Sequence, residues 1–138
     1  MIKTIPDSNI LFDLIQRDPV WFDWAMDKLE ACREAGTLVA SVIVYAEVSG
    51  HFIVHDELQK VFSQVGIELE HIPWEAAYLA GRAHRAYRRA GGQRERVLPD
   101  FLIGAHANVK GYSLLTRDAS RYRAYFPKLD IIAPDTHP

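Results

Sequence analysis

The chain has 138 residues, of which 49% are hydrophobic and 25% are charged. These values are typical of one soluble domain that is long enough to bury a core, so we expect a single domain over residues 1–138. The formal net charge of −2 does not favour nucleic-acid binding, which would have to rest on a local basic patch.

Cysteine usage and the lengths of apolar runs exclude several further classes of protein. Cys32 is the single cysteine, which excludes both a disulfide within the chain and a cysteine-based zinc site. Its neighbours form a helical pattern in which we expect a small, buried side chain. No apolar run approaches the roughly 20 residues that a membrane span needs. We therefore expect a cytoplasmic protein with no membrane contact.

The first predicted elements along the chain are a short strand and two helices. Residues 2–5 form a β-like apolar run that Pro6 ends, and the polar residues 7–9 can begin the helix that follows. Asp18, which a proline follows, predicts the start of a second helix. Gly36 predicts the end of that helix.

The middle of the chain continues the alternation of strands and helices. Residues 38–40 predict a second strand, and Ser41 can cap the helix that follows it. A short helix at residues 56–65 precedes a strand-like segment at residues 67–72. A long helix is then predicted over residues 73–90.

The last part of the chain holds four further elements. A helix over residues 99–109, which Gly111 ends, is followed by a strand at residues 112–115. A short helix at residues 119–126 and a strand at residues 129–132 complete the pattern. Short apolar runs that alternate with longer amphipathic stretches predict an α/β fold with a mostly parallel sheet.

Four acidic residues occupy related places in this arrangement. Asp7 and Asp118 each directly follow a predicted strand, and ligands bind at the carboxyl ends of parallel strands. Glu47 lies among apolar or small residues in the helix after the second strand, and Asp100 lies in the first turn of its helix. Each acid alone also has an ordinary explanation. Asp7 can cap a helix, Asp100 can complement a helix dipole, Asp118 can be a turn residue, and Glu47 can lie on an exposed helix face.

Together, the four acids predict a metal site. Carboxylates that lie close together repel one another and raise one another's pKa values, and a divalent cation offsets this repulsion. Ligand sets made only of oxygen suit magnesium or manganese rather than zinc. Such ions orient a water, help it to ionise and stabilise the leaving oxygen when a phosphodiester is hydrolysed.

The residues around the four acids resemble the acidic motifs of the PIN-domain nucleases, and within them the VapC-type toxins of bacterial and archaeal toxin–antitoxin pairs. The four segments run in family order and span almost the whole chain. Ser8, in the first segment, stands where a threonine is common. The segments are DSNIL at residues 7–11, SVIVYAE at residues 41–47, PDFLIGAHA at residues 99–107 and LLTRD at residues 114–118.

This resemblance implies a PIN-like three-layer fold, in which helices flank a central, mostly parallel sheet. It implies that Asp7, Glu47, Asp100 and Asp118 are the catalytic acids. Of these, Asp7, Asp100 and Asp118 are expected to hold Mg²⁺ or Mn²⁺. The hydroxyls of two further residues are expected to support the metal or a phosphate, and these residues are Ser8 and Thr116.

The family activity implied by the resemblance is that of a metal-dependent endoribonuclease, in which a metal-activated water attacks an RNA phosphate. The implied role is the toxin of a type II toxin–antitoxin system. Its expected partners are RNA, a cognate antitoxin protein and a second copy of the chain. Two alternatives stay open: a PIN-type RNA-processing nuclease outside such a pair, and a non-catalytic PIN-like binding module. The presence of all four acids argues against the binding module.

An arginine-rich segment at residues 82–96 is the strongest candidate for a local basic patch. It holds six arginines against one acid, Glu95. Arg82, Arg85 and Arg89 follow helical spacing and therefore share one side of a helix. They predict a surface that binds the RNA backbone, with an ordinary solvated helix face as the alternative.

The histidines and tryptophans are interpreted as structural residues. No pair of histidines has the close helical spacing of the common zinc motifs, and His106 is interpreted as a surface residue of its helix. Trp21, Trp24 and Trp74 are interpreted as core residues. For Trp21 and Trp24, a groove that binds a second copy or an antitoxin is the alternative.

Overall fold

Five short parallel strands form the central sheet in the computed structural model, which describes residues 2–94 and 96–138. The order of the strands across the sheet is β3-β2-β1-β4-β5, and each neighbouring pair is parallel. The predicted α/β fold with a parallel sheet is therefore confirmed. The strands are β1 (Ile2–Pro6), β2 (Gly36–Ala40), β3 (Ile67–Leu69), β4 (Ser113–Leu115) and β5 (Asp130–Ile132).

Seven helices in the described part of the chain flank this sheet, which gives the predicted PIN-like α/β architecture. α5 and α6 pack against each other, α2 contacts β1 and β2, and α6 contacts β1 and β4. The helices are α1 (Ser8–Ile15), α2 (Phe22–Ala35), α3 (Val42–Ser49), α4 (His55–Val65), α5 (Trp74–Arg89), α6 (Leu98–Lys110) and α7 (Ser120–Tyr125).

The register of the sheet brings the carboxyl ends of the strands to one edge. Thr4 of β1 pairs with Leu38 of β2 and with Ser113 of β4. Leu38 pairs in turn with Ile67, and Ser113 pairs with Asp130. Because all five strands run in the same direction from this shared row, the segments that follow them begin along the same edge.

Most predicted boundaries agree with the structure to within a few residues, and the second helix shows why one differs. α2 begins at Phe22 rather than at Asp18. Oδ1 of Asp18 accepts hydrogen bonds of 2.9 Å from the backbone N–H groups of Val20 and Trp21. This side chain therefore caps a separate turn ahead of the helix, which is a common alternative use of aspartate.

Three structural interpretations of individual side chains have definite outcomes. Cys32 is buried, as predicted. The interpretation of Trp74 as a core residue is wrong, because this first residue of α5 is 91% exposed. The side chain of Tyr78, one helical turn later, is also exposed. This side of α5 therefore faces outward, whereas Trp24 of α2 packs partly against the core.

The interpretation of His106 as a surface residue is also wrong. Its ring is fully buried, because α6 packs against α3 and α5 as well as against β1 and β4. Nε2 of His106 lies 2.7 Å from Oε2 of Glu70, and the hydroxyl of Tyr112 donates a hydrogen bond of 2.7 Å to Oε1 of Glu70. His106 thus belongs to a polar cluster inside the fold.

The helices also bear on the expected absence of a membrane span. α5 is the longest, with 16 residues, and its sequence includes several arginines. Among the described residues, no helix combines the length and the apolar character that crossing a membrane requires.

Candidate active site

The four predicted acids line one cleft at the edge of the sheet where the strands end. The topology explains this, since Asp7 follows β1, Asp118 follows β4 by three residues, Glu47 lies on α3, and Asp100 lies in the first turn of α6. We call this feature the acid cleft, and its volume is about 170 Å³. It is lined by Asp7, Ser8, Asn9, Phe12, Glu47, Asp100, Asp118, Arg121 and Tyr122.

Asp7 is the most enclosed of the four acids, with only 5% of its surface exposed. Its Oδ1 accepts a hydrogen bond from the backbone N–H of Ser8 at 2.8 Å, at the start of α1. Its Oδ2 accepts hydrogen bonds from the hydroxyls of Thr116 and Tyr122, each at 2.9 Å. Asp7 is therefore fixed by groups from three separate parts of the chain.

The pKa of Asp7 is raised to about 6, from an ordinary value of 3.8. Burial is the largest cause, and the negative charge of Asp100 is the next. The hydrogen bonds from Thr116, Tyr122 and Ser8 act in the opposite direction, because they stabilise the charged carboxylate. Burial and the neighbouring charge of Asp100 together therefore outweigh these three hydrogen bonds in their effect on the pKa of Asp7.

Asp100 is held by an arginine that follows the fourth motif. Nη1 of Arg121 lies 2.7 Å from Oδ2 of Asp100, and the side chain of Asp100 is 35% exposed. Burial raises the pKa of Asp100, Arg121 lowers it, and the charges of Glu47 and Asp118 raise it further, with a net upward shift. The acids thus influence one another across the cleft, as the sequence predicts for a metal site.

Glu47 and Asp118 complete the acid cleft in different ways. Oε1 of Glu47 accepts a hydrogen bond of 2.6 Å from the hydroxyl of Ser8, which joins the first two motifs. Asp118 is exposed, and its backbone N–H donates to Oγ1 of Thr116 at 3.2 Å. Thr116 is itself fully buried, so its hydroxyl acts by positioning Asp7 and the Asp118 segment.

Tyr122, Arg121 and Arg117 are parts of this arrangement that the sequence analysis misses. Tyr122 is 3% exposed, and burial together with the charge of Asp7 holds the pKa of its phenol well above the usual value. Arg117 forms two hydrogen bonds to the buried carboxylate of Asp13, at 2.7 and 3.1 Å, and ties the fourth motif to α1. One signal could have indicated Arg121 and Tyr122, since both lie about one helical turn after Asp118.

A glycine in the third motif allows Tyr122 to reach Asp7. A Cβ atom added at Gly104 would lie 2.8 Å from ring carbons of both Tyr122 and Phe126. Such a separation is too short for real carbon atoms, so only glycine lets α7 pack this closely on α6. The packing of two helices therefore helps to set the position of a hydrogen bond in the acid cleft.

The donor groups of the acid cleft fit a hard divalent cation in chemical type and charge. Carboxylate and hydroxyl oxygens are ligands that Mg²⁺ and Mn²⁺ accept. Burial is the largest cause of the raised pKa values of Asp7 and Asp100, and the charges of neighbouring acids add to it, a contribution that a cation would offset. In the described residues, however, no three His, Cys, Asp or Glu side chains stand close enough together to hold one ion. Asp100 is bound instead to Arg121, and Glu47 to Ser8.

The predicted arginine face on α5 lies apart from these acids. Arg82, Arg85 and Arg89 are exposed, and none of them is among the side chains that line the acid cleft in the described part of the chain. The guanidinium of Arg82 lies 6.0 Å from the centre of the Tyr78 ring. RNA binding by this face remains a prediction, and Glu95 lies outside the described residues.

The fold and the four gathered acids define a PIN-like α/β protein. Comparison with known protein families matches residues 4–127 to the PIN domain. The chain belongs to the PIN domain family, which is a family of nucleases. No curated protein matches the chain.

Several solved structures share the fold over nearly the whole chain. VapBC2 from Rickettsia felis, bound to a DNA fragment from its promoter, gives a TM-score of 0.72 at 19% identity, over 96% of this chain and 98% of that one. VapBC-1 from nontypeable Haemophilus influenzae gives a TM-score of 0.70 at 17% identity, over 96% of this chain and 98% of that one. A toxin–antitoxin complex from Klebsiella pneumoniae gives a TM-score of 0.67 at 23% identity, over 95% of this chain and 97% of that one. At these identities, the similarity shows a shared fold.

Proposed function

We propose that this PIN domain is a metal-dependent endoribonuclease and the toxin of a type II toxin–antitoxin pair. The observation that carries the proposal is the gathering of Asp7, Glu47, Asp100 and Asp118 in one cleft. These residues come from four separate segments, and the charges of Asp100 on Asp7, and of Glu47 and Asp118 on Asp100, raise pKa values there. A cluster of this kind in a nuclease family fits the metal-assisted hydrolysis of a phosphodiester.

Asp7, Asp100 and Asp118 would hold the cation, Mg²⁺ or Mn²⁺. When bound, such an ion lowers the pKa of water and stabilises the negative charge that develops on the phosphate and the leaving oxygen. The chain's own residues perform the remaining tasks. Thr116 and Tyr122 keep the carboxylate of Asp7 in place through their hydroxyl groups.

Glu47 is the acid best placed to accept a proton from the attacking water. Its carboxylate is joined to the hydroxyl of Ser8 at 2.6 Å, which fixes its orientation at the wall of the acid cleft. The hydroxyl of Ser8 would then act through Glu47, whereas the sequence resemblance implies that it supports the metal or a phosphate. No histidine lines the acid cleft in the described residues, so a carboxylate is the base that the site offers.

The partners proposed for the chain are RNA, an antitoxin protein and a second copy. Support for the antitoxin comes from the solved structures with the same fold, since those from Rickettsia felis and Haemophilus influenzae are described as VapBC and that from Klebsiella pneumoniae as a toxin–antitoxin complex. The similarity extends over almost all of the chain, which favours a toxin over a PIN nuclease of RNA processing. The proposed compartment is the cytoplasm, where RNA is the available substrate.

Expression in bacterial cells tests the toxin role. The parent chain should arrest growth, whereas Asp7→Asn should allow growth at the same protein level. Co-expression of a small reading frame next to the gene should relieve the arrest. Asp56→Asn is a suitable control, because Asp56 is an exposed aspartate in the first turn of α4 and is not among the described residues that line the acid cleft. Growth that is unaffected by the parent chain contradicts the toxin role.

A further inference from the structure

A second cleft adjoins the acid cleft, and its lining is mainly arginine. We call it the arginine cleft, and its volume is about 390 Å³. Asp100 and Arg121 line both clefts, so the two meet at the ion pair between these residues. The arginine cleft is lined by Arg94, Arg96, Val97, Asp100 and Arg121.

Arg121 is held firmly at the junction of the two clefts. One of its guanidinium nitrogens lies 2.7 Å from Asp100, and its guanidinium carbon lies 5.7 Å from the centre of the Tyr87 ring. Its side chain is 18% exposed. A guanidinium has five N–H donors, so the contact with Asp100 leaves others free to face the arginine cleft.

The segment that carries Arg94 and Arg96 is also anchored on Tyr87. The backbone N–H of Arg94 donates to the Tyr87 hydroxyl at 3.2 Å, and the backbone N–H of Gly92 donates to the Tyr87 carbonyl at 2.9 Å. A Cβ atom at Gly92 would lie 2.4 Å from the Tyr87 ring, so this close packing depends on glycine. Tyr87 therefore positions both sides of the arginine cleft.

The charges of Arg94 and Arg96 are available for a ligand. Both side chains are exposed, and neither forms an ion pair within residues 2–94 and 96–138. Arg94 is close enough to Asp100 to act on its carboxylate electrostatically. Three arginines around an open cleft of this kind favour an anion with several acceptor oxygens, because guanidinium groups match the geometry of phosphate.

We infer that Arg94, Arg96 and Arg121 form a subsite for the backbone phosphate next to the scissile phosphate of a single RNA strand. This inference rests on the proposed ribonuclease function, which places the scissile phosphate in the acid cleft. A strand that continues past the acids brings its next phosphate to the adjoining cleft. The arginines there offset the repulsion that four carboxylates exert on RNA, and they set the direction in which the strand leaves the site.

The subsite is tested by measuring how tightly the protein binds a labelled single-stranded RNA. Binding is measured by fluorescence anisotropy, in EDTA and at several salt concentrations. The variant Arg94→Gln/Arg96→Gln should bind about tenfold more weakly than the parent, with a shallower salt dependence. The control is Arg33→Gln/Lys60→Gln, which removes the same charge from exposed positions on α2 and α4 that line neither of the two clefts as the described residues form them. It should change the affinity less than twofold. Equal losses in the two variants, or a larger loss in the control, would overturn the inference.

A double-mutant cycle, which combines a change in the RNA with a change in the protein, locates the phosphate that the subsite binds. Methylphosphonates, which carry no charge, replace the phosphate on the 5′ or the 3′ side of the mapped cleavage position. One of the two replacements should weaken binding to the parent about tenfold and leave binding to Arg94→Gln/Arg96→Gln nearly unchanged. If the loss of affinity caused by each methylphosphonate is as large in Arg94→Gln/Arg96→Gln as in the parent, the inference is overturned. A parent that binds RNA in this way but cleaves none would contradict the proposed function and leave the anion subsite standing, so the two failures are distinguishable.

Discussion

The hydroxyl of Tyr122 donates a hydrogen bond of 2.9 Å to Oδ2 of Asp7, although the two residues are 115 positions apart in the sequence. Asp7 directly follows the first strand, and Tyr122 lies on α7, the last helix in the described part of the chain. The bond therefore joins the beginning and the end of the PIN domain at its acid cleft. It also supplies a buried carboxylate with one of the donors that it needs.

Removal of this hydroxyl should affect both stability and activity. Tyr122→Phe leaves Asp7 buried with one donor fewer, and we expect the free energy of unfolding to fall by about 1.5 kcal/mol. RNA cleavage should fall about tenfold, because the position of Asp7 is less well fixed. Denaturant unfolding and a cleavage assay on the same preparations measure the two effects.

Tyr125→Phe is the matched control for this change. Tyr125 lies on the same helix and packs against Phe101 and Tyr87, and its hydroxyl has no hydrogen bond among the described residues. It should keep the stability and the cleavage rate of the parent. If Tyr122→Phe has the same free energy of unfolding and the same cleavage rate as the parent, the hydroxyl of Tyr122 is not needed to hold Asp7 in position.

A second prediction concerns the close packing at Gly104. In Gly104→Ala the added Cβ meets the rings of Tyr122 and Phe126, and we expect a loss of about 2 kcal/mol together with reduced cleavage. Gly81→Ala tests the opposite case, since Gly81 lies within α5 and a Cβ there has no neighbour within 4 Å. It should stabilise the fold by up to about 1 kcal/mol. Melting temperatures measure both changes, and stabilisation by both alanines contradicts the packing argument.

The ion pair between Arg121 and Asp100 leads to a prediction about metal affinity. Arg121→Gln removes a positive charge 2.7 Å from Asp100, so the acid cleft should attract a divalent cation more strongly. We expect the dissociation constant for Mn²⁺, measured by calorimetry, to fall several-fold. Arg123→Gln is the control, because Arg123 lies on the same helix and pairs instead with the exposed Asp135. Weaker Mn²⁺ binding in Arg121→Gln would mean that Arg121 does not oppose the cation.

The polar cluster of Glu70, His106 and Tyr112, in which Glu70 is partly exposed, predicts a pH dependence of stability. Burial raises the pKa of Glu70, but hydrogen bonds from Tyr112 and His106 lower it more, so its folded-state pKa lies below the ordinary 4.5. A lowered carboxyl pKa adds stability above pH 4.5, and this contribution is lost as the pH falls through the folded-state value. Unfolding curves between about pH 6 and pH 3 should therefore show a steeper loss in the parent than in Glu70→Gln.

Glu68→Gln is the control for this loss of stability at acid pH. Glu68 lies on β3, two positions before Glu70, and is exposed. Its variant should lose stability with falling pH as the parent does. If the parent and Glu70→Gln lose stability equally as the pH falls, the cluster makes no net contribution to the pH dependence of stability.

The parallel sheet and the convergence of the acids are the features that the sequence predicts best. Asp7 and Asp118 each follow an apolar run, and parallel strands necessarily bring such positions to one edge. The partners of these acids are not predictable in the same way. Tyr122 reaches Asp7 and Arg121 reaches Asp100 only because α7 packs closely on α6, and that packing depends on tertiary geometry.

His106 and Trp74 show where periodicity gives the wrong answer. His106 is polar and lies in a helix, which suggests a surface position, but α6 is enclosed on several sides and Glu70 is its partner. Trp74 is aromatic, which suggests the core, but the first turn of α5 faces outward. In both cases the neighbours of the helix decide the burial of the side chain, and the sequence alone does not give those neighbours.

Metal-dependent cleavage of total cellular RNA, with the cleaved ends mapped, tests the central claim most directly. The parent and Asp56→Asn should cut RNA at the same positions with Mg²⁺ or Mn²⁺ and should stop in EDTA. Asp100→Asn should show cleavage lower by at least about a hundredfold while it keeps the fold. Cleavage by Asp100→Asn at the rate of the parent, or cleavage that continues in EDTA, would contradict the claim that the acid cleft is a metal-dependent nuclease site.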